Sequence, residues 1–279
     1  GWEVADIAQP EYAALATEWF ESMLAKTAAE VDDLFSKYRL SEALMAVYKL
    51  FWDEFSSWYL EMVKPAYIDG KAQPMDKVTY EKTLSFFDSL LKLLHPFMPF
   101  VTEEIWKSFQ NIDGSIMIEK YPEFNKRYIN KNAEYNINVL MSVIKSIRNI
   151  RSEMNVSHGK KTVIYIDSDN LEICKVLKKY ENIICKMAYA KSVEINSDRG
   201  DEKLVSAVND YVKIYIPVDE LVDREEEISR LNKELEINEE IIEISPTELI
   251  GLENIKNPKI FNNFLDFAAV TKSGKTHTI

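Results

Sequence analysis

Glycine is scarce, with seven residues in 279. So few argue against a β-rich architecture, and no glycine-rich phosphate loop occurs. There are only two cysteines, Cys174 and Cys185. Without a C-x-x-C spacing they argue against zinc and read as reduced thiols of a cytoplasmic protein. His95, His158 and His277 stand apart from one another, so neither a Ser-His-Asp arrangement nor a metal spacing can be drawn. No apolar run is long enough to span a bilayer and no secretory leader opens the chain, so no membrane partner is expected. The chain enters abruptly at Gly1 and reads as a piece of a longer protein. Asparagine is missing from residues 1–110 and occurs 18 times in residues 111–279, while alanine falls from 12 to 6. A domain boundary rarely produces that shift, which reads as a junction between two genomic backgrounds near residue 110.

What is abundant is acid. The net charge is −12, which argues against a generic nucleic-acid binder. Its distribution is uneven. Residues 125–162 hold eight basic residues (Lys126, Arg127, Lys131, Lys145, Arg148, Arg151, Lys160 and Lys161) against Glu134 and Glu153, a net +6. The remainder is −18. A confined cationic ridge on an anionic body suits a polyanion that docks in one place.

Hydrophobic spacing predicts a mainly α protein: an antiparallel helical bundle, then a small α/β module and a coiled-coil-like helix. Helices are expected over 11–37, 41–64 with Ser41 as N-cap, 78–94, 99–110 and 130–154. In the second, Leu44, Val47, Tyr48, Phe51, Phe55, Trp58, Tyr59 and Met62 would face inward. In the third, Leu84, Phe87, Leu91 and Leu94 would. Strands are expected near 162–166, 192–195, 204–208 and 211–216, with helix over 169–187 in one or two pieces. Leu221, Ile228, Leu231 and Leu235 repeat at three-to-four spacing among charged residues, as in a coiled-coil arm. The resulting divisions are a bundle over 1–125, a long basic helix with its linker over 126–161, an α/β module over 162–218, an arm over 219–243 and an unassigned tail over 244–279.

Three strings are more specific. His95-Pro96-Phe97-Met98-Pro99-Phe100-Val101-Thr102-Glu103-Glu104-Ile105-Trp106 is a proline corner between helices, with Glu103 and Glu104 expected near the positive end of the new helix dipole. It resembles the helical anticodon-binding domain of the class I aminoacyl-tRNA synthetases for valine, isoleucine, leucine and methionine. Ile147-Arg148-Asn149-Ile150-Arg151-Ser152-Glu153-Met154-Asn155-Val156 resembles the end of the long helix in the valyl and isoleucyl members. Residues 219–235 resemble the first arm of the coiled coil that marks the valyl branch, although a returning arm is not recognisable after Glu243. Phe51–Glu61, which includes Trp58-Tyr59-Leu60-Glu61, also resembles the valyl branch. Its aromatics could stack on bases, but their helical spacing reads as core.

The resemblance implies the tRNA-binding C-terminal part of a valine–tRNA ligase, with tRNA (valine tRNA first) and the remainder of the synthetase as partners, as a monomer in the cytoplasm. An equivalent isoleucyl or leucyl fragment and a non-catalytic helical scaffold are the alternatives. The parent uses ATP and magnesium by resemblance. This chain carries neither the His-Ile-Gly-His-like nor the Lys-Met-Ser-Lys-Ser-like motif, so it is expected to hold no cofactor and to catalyse nothing alone. The candidate tRNA contacts are Lys145, Arg148, Arg151, Lys160 and Lys161, with Arg224, Arg230 and Lys233 on the arm. Arginines at helical spacing can hold phosphate by paired donors.

Overall fold

The structure is a computed structural model that describes residues 3–65, 67–68, 71–110, 114–123, 125–154, 156, 159–199 and 203–217. The expected arm over 219–243, the tail over 244–279, and His158 and His277 lie outside the described residues. All described residues belong to one compact unit, residues 1–221.

The chain opens with strand β1 (Val4–Ala5), which runs parallel to β4 (Met75–Asp76); the short antiparallel pair β2 (Tyr67–Ile68) and β3 (Lys71–Ala72) comes just before β4. Helix α1 (Glu11–Ser36) starts directly after Pro10, whose fixed φ suits the approach to a helix. Its axis residue is Phe20, fully buried, with its ring 5.0–5.2 Å from those of Phe55, Tyr59 and Phe86. Four aromatic rings at tilted angles therefore hold α1 against the two helices that follow it.

The expected second helix is continuous but not regular. It comprises α2 (Leu40–Lys49), a ten-residue π segment (Leu50–Tyr59) and α3 (Leu60–Val63). Within the π segment the Ser56 and Ser57 hydroxyls donate to the carbonyls of Phe51 and Trp52, five residues back, at 3.0 and 2.9 Å. The wider turn changes the phase of the buried face. Val47, Leu50, Phe55, Trp58, Tyr59 and Met62 point inward, whereas Tyr48, expected inside, is exposed. Ser41 is also not the cap, because Leu40 already lies in the helix.

Helix α4 (Lys77–Leu94) begins at Asp76, whose carboxylate accepts from the Thr79 amide at 2.8 Å. It buries two faces. Phe86, Leu90 and Leu93 meet the bundle, while Leu91 and part of Phe87 meet Trp106 of α5 (Pro99–Gln110) and Ile116. The expected stripe of 84, 87, 91 and 94 captured only the second face, because α4 lies between two layers. At the corner, His95 Nδ1 and Thr102 Oγ1 share a 2.7 Å hydrogen bond and Phe97 packs on Phe35. Pro99 is the first helical residue, so Glu103 falls beyond the first turn. Glu103 instead accepts from the Ser115 hydroxyl and the Ile116 amide, which ties down the chain leaving α5.

Helix α6 (Lys131–Glu153) is capped by Asn130, whose Oδ1 accepts from the Ala133 amide at 3.0 Å. Periodicity puts Ile137, Leu140, Ile144, Ile147 and Met154 on one apolar stripe; the first four are fully buried and Met154 is half-buried, while Val139, Val143 and Ile150 add a second buried face. One face packs on α1 and the other receives the sheet module. That module holds β5 (Thr162–Asp167), α7 (Leu171–Lys179), α8 (Glu181–Met187), β6 (Ala190–Ile195), β7 (Leu204–Val208) and β8 (Lys213–Pro217), with strand order β6-β5-β8-β7. β5 and β6 are parallel across the two-helix connection, and the other pairings are antiparallel. Thr162, Ile164 and Ile166 alternate inward with Ile214 and Ile216.

Candidate nucleic-acid interface

The basic residues of 125–162 do not form one ridge. Lys126, Arg127 and Lys131 sit at the start of α6. Lys145, Arg148 and Arg151 sit in its last turns, on the order of 20 Å further along at 1.5 Å per residue. Between the two groups, Glu134 is taken up by Lys26 and by the Ser22 hydroxyl of α1. Burial pushes the Glu134 carboxyl upward, but these hydrogen bonds and the Lys26 charge outweigh it and leave it below the ordinary carboxylate range. The single ridge expected from the sequence is thus corrected to two clusters.

The C-terminal cluster has a built geometry. Trp58, 8% exposed, presents its ring to both Lys145 Nζ and Arg148 Cζ, at 5.5 and 5.6 Å from the centroid. A ring face attracts cations without neutralising them. Lys145 and Arg148 are exposed, and among the described residues no carboxylate lies within 4 Å of either. Arg148 also donates its Nε–H to the carbonyl of Met187 at 2.8 Å, which fixes the guanidinium plane.

Arg151 differs from its neighbours. It is 5% exposed, and its Nη2 donates to the Lys160 carbonyl at 2.7 Å. Burial lowers its pKa from the free-arginine value. Its place on the buried edge of α6 makes it first an anchor for the linker into β5. Lys160 is half-buried, and Lys161 is exposed and close enough to Cys185 to oppose the rise in its thiol pKa, which burial and Glu181 cause. Arg224, Arg230 and Lys233 lie outside the described residues.

Between these elements opens a cleft of about 560 Å³, lined by Ser57, Glu61, Arg148, Arg151, Ser152, Val156 and Tyr189. Tyr189 links α8 to β6 with φ at +55°, a left-handed conformation rare for a bulky side chain. Among the described residues, two arginines, two serines and Tyr189 thus line one space, with Glu61 as the single acid beside them. The donor set suits an oxyanion held by several short polar contacts. Ser57, Trp58 and Tyr189 were not legible as a site, because the π segment and a crossing from the sheet module bring them there. Among the described residues no group of three His, Cys, Asp or Glu side chains is placed to hold a metal ion.

Residues 17–166 match the family described as the anticodon-binding domain of tRNA ligase. The chain belongs to this family. It is 46% identical over 275 residues to the valine–tRNA ligase of Phocaeicola vulgatus, covering 92% of this chain and 30% of that protein. It is 40% identical over 298 residues to that of Parabacteroides distasonis, covering 98% and 32%, and 38% identical over 226 residues to that of Legionella pneumophila (strain Lens), covering 78% and 24%. The chain therefore spans about a third or less of the length of these curated relatives. The alignment with the Parabacteroides protein runs well to both sides of residue 110, so the compositional shift there falls within one family. Among the described residues no helix is long and apolar enough to cross a membrane.

Proposed function

We propose that this chain is the tRNA-binding part of a valine–tRNA ligase, acting by placement of tRNA and not by chemistry of its own. The observation that carries the reading is the Lys145–Trp58–Arg148 cluster at the mouth of the cleft: two cations held over a buried ring, with no carboxylate within 4 Å among the described residues and Glu54 interacting with Lys145 only at longer range, in a chain of the anticodon-binding family. Two such cations on an acidic body attract a polyanion at one place and repel it elsewhere. Lys160 and Lys161 extend the positive surface toward β5, and the arm residues Arg224, Arg230 and Lys233 are proposed as contacts further along the tRNA. Valine activation with ATP and magnesium is assigned to the remainder of the ligase, for which this chain converts a diffusional encounter into an oriented one. Valine tRNA is the proposed partner, a monomer the proposed state and the cytoplasm the proposed location.

The test is a filter-binding titration of the 279-residue chain with valine tRNA and a non-cognate tRNA across a salt series. Replacing Lys145, Arg148 and Lys160 together by glutamine should weaken binding and flatten its salt dependence by about one unit of slope for each phosphate no longer neutralised. An unchanged slope would remove the assignment.

A further inference from the structure

The π segment leaves two aromatic residues outside the core, and they face one another. The rings of Tyr48 and Trp52 lie 6.3 Å apart and 11° from parallel. They are 52% and 58% exposed, whereas Trp19, Trp58 and Trp106 are all buried. Trp52 is thus the exposed one among the described tryptophans. Its neighbours in sequence, Phe55 and Tyr59, went into the core, so the exposure follows from the change of helical phase and not from a lack of apolar partners in this part of the fold.

The same π turn aligns this pair with the cleft. Ser57, which donates to the Trp52 carbonyl at 2.9 Å, lies one turn on, and Glu61 one turn beyond that. Ser57 and Glu61 both line the cleft that holds Arg148. Tyr48, Trp52, Ser57 and Glu61 therefore form a single exposed stripe running from an aromatic pair into a cationic pocket. With regular α-helical turns Ser57 would be rotated well away from Trp52. Asp53 follows Trp52 at the aromatic end, and at the cleft end Arg148 and Arg151 line the pocket beside Glu61.

We propose that Tyr48 and Trp52 are a stacking platform for an unpaired base of the RNA whose phosphate enters the Arg148 cleft. The inference rests on the tRNA-binding reading and adds to it a preference for unpaired over paired RNA. An aromatic face beside a cationic groove is the arrangement that holds single-stranded nucleic acid, since every base offers a π-face.

The test uses the 279-residue chain and two probes with equal phosphate counts: a short stem-loop RNA with an unpaired loop, and a fully paired duplex. Affinity is read by fluorescence anisotropy and stacking by quenching of tryptophan emission. Wild type should prefer the stem-loop. The double variant Tyr48→Ala, Trp52→Ala should lose about fivefold to a hundredfold in stem-loop affinity, with duplex affinity, salt slope and thermal melting unchanged. Trp52→Phe should recover much of the loss. If the double variant binds the stem-loop as wild type does, the platform serves a protein surface instead, and the proposal falls while the tRNA reading stands. If the double variant weakens stem-loop and duplex alike, the effect is not stacking and the proposal also falls. A wild-type chain that binds neither probe removes both readings.

Discussion

Arg148 on α6 closes the end of α8 by donating to the Met187 carbonyl at 2.8 Å. The reverse relationship exists nearby. Lys186 of α8 donates to the carbonyls of Met62, at 3.2 Å, and Lys64, which end α3. Both cations sit on helix C-termini, where carbonyls lack intrahelical partners and the dipole favours positive charge. Bundle and sheet module are thus clasped in both directions, and the clasp shares one residue with the proposed RNA site.

The sharing yields a separable prediction. Lys186→Met removes a clasp that lies outside the cleft lining. Stability toward urea should fall by about 1 kcal/mol while tRNA affinity is unchanged. Arg148→Gln should lower both. Burial holds the Lys186 amine down at about 8, against about 10.4 for an unfolded lysine. Between those values the unfolded chain binds more protons, so wild-type stability relative to Lys186→Met should rise as pH goes from about 8 to about 10. Equal losses of tRNA affinity in the two variants would break the separation.

Arg151 calls for the same pattern as Lys186. Its guanidinium is enclosed, and truncation leaves the Lys160 carbonyl without its donor. Arg151→Met should lower stability by about 1–3 kcal/mol, seen as a drop in melting temperature, with the salt slope of tRNA binding largely retained. A melting curve that matches wild type would show that the linker into β5 does not depend on this hydrogen bond.

The bundle was legible because its helices are long and strongly periodic. The helices expected over 11–37, 99–110 and 130–154 correspond to Glu11–Ser36, Pro99–Gln110 and Lys131–Glu153. The strand expected at 162–166 was legible from its β-branched run, and β7 from the same signal. What failed was phase. A π segment is invisible to a 3.6-residue template, which places Tyr48 in the core and misses the Tyr48–Trp52 pair. Periodicity also reports one stripe at a time, which hid the second face of α4. The site was legible only in part. Net charge located the basic stretch but not its division, because a sum over 125–162 ignores the length of α6 that separates Lys131 from Lys145. Tyr189 and Lys186 carry no local signal, since their roles arise where two modules meet.

Phe20 is the natural probe of the core. It is fully buried and touches three aromatic rings from the π segment and α4. Phe20→Ala should lower the unfolding free energy by about 3–5 kcal/mol through reduced burial and the cavity left behind. Phe20→Leu should be milder, because it fills most of that space. The comparison is a pair of urea titrations, and a change near zero for the alanine variant would mean that the four rings do not couple α1 to α4.

Glu134 ties α6 to α1 through Ser22 and Lys26, and its carboxyl is lowered from the ordinary range. A depressed carboxylate stabilises the fold at pH above its unfolded value of about 4.3, and that contribution is lost as pH falls through the lower folded value. The difference in stability between wild type and Glu134→Gln should therefore be present at neutral pH, on the order of 1 kcal/mol, and should shrink toward zero below about pH 4. Lys26→Met should mimic part of the loss at neutral pH, with little further effect when combined with Glu134→Gln, because the two act as one unit. Urea midpoints at neutral and acid pH for the two single variants and the double variant decide it. A gap that persists unchanged into acid would mean that shape, and not charge, accounts for what Glu134 contributes between α1 and α6.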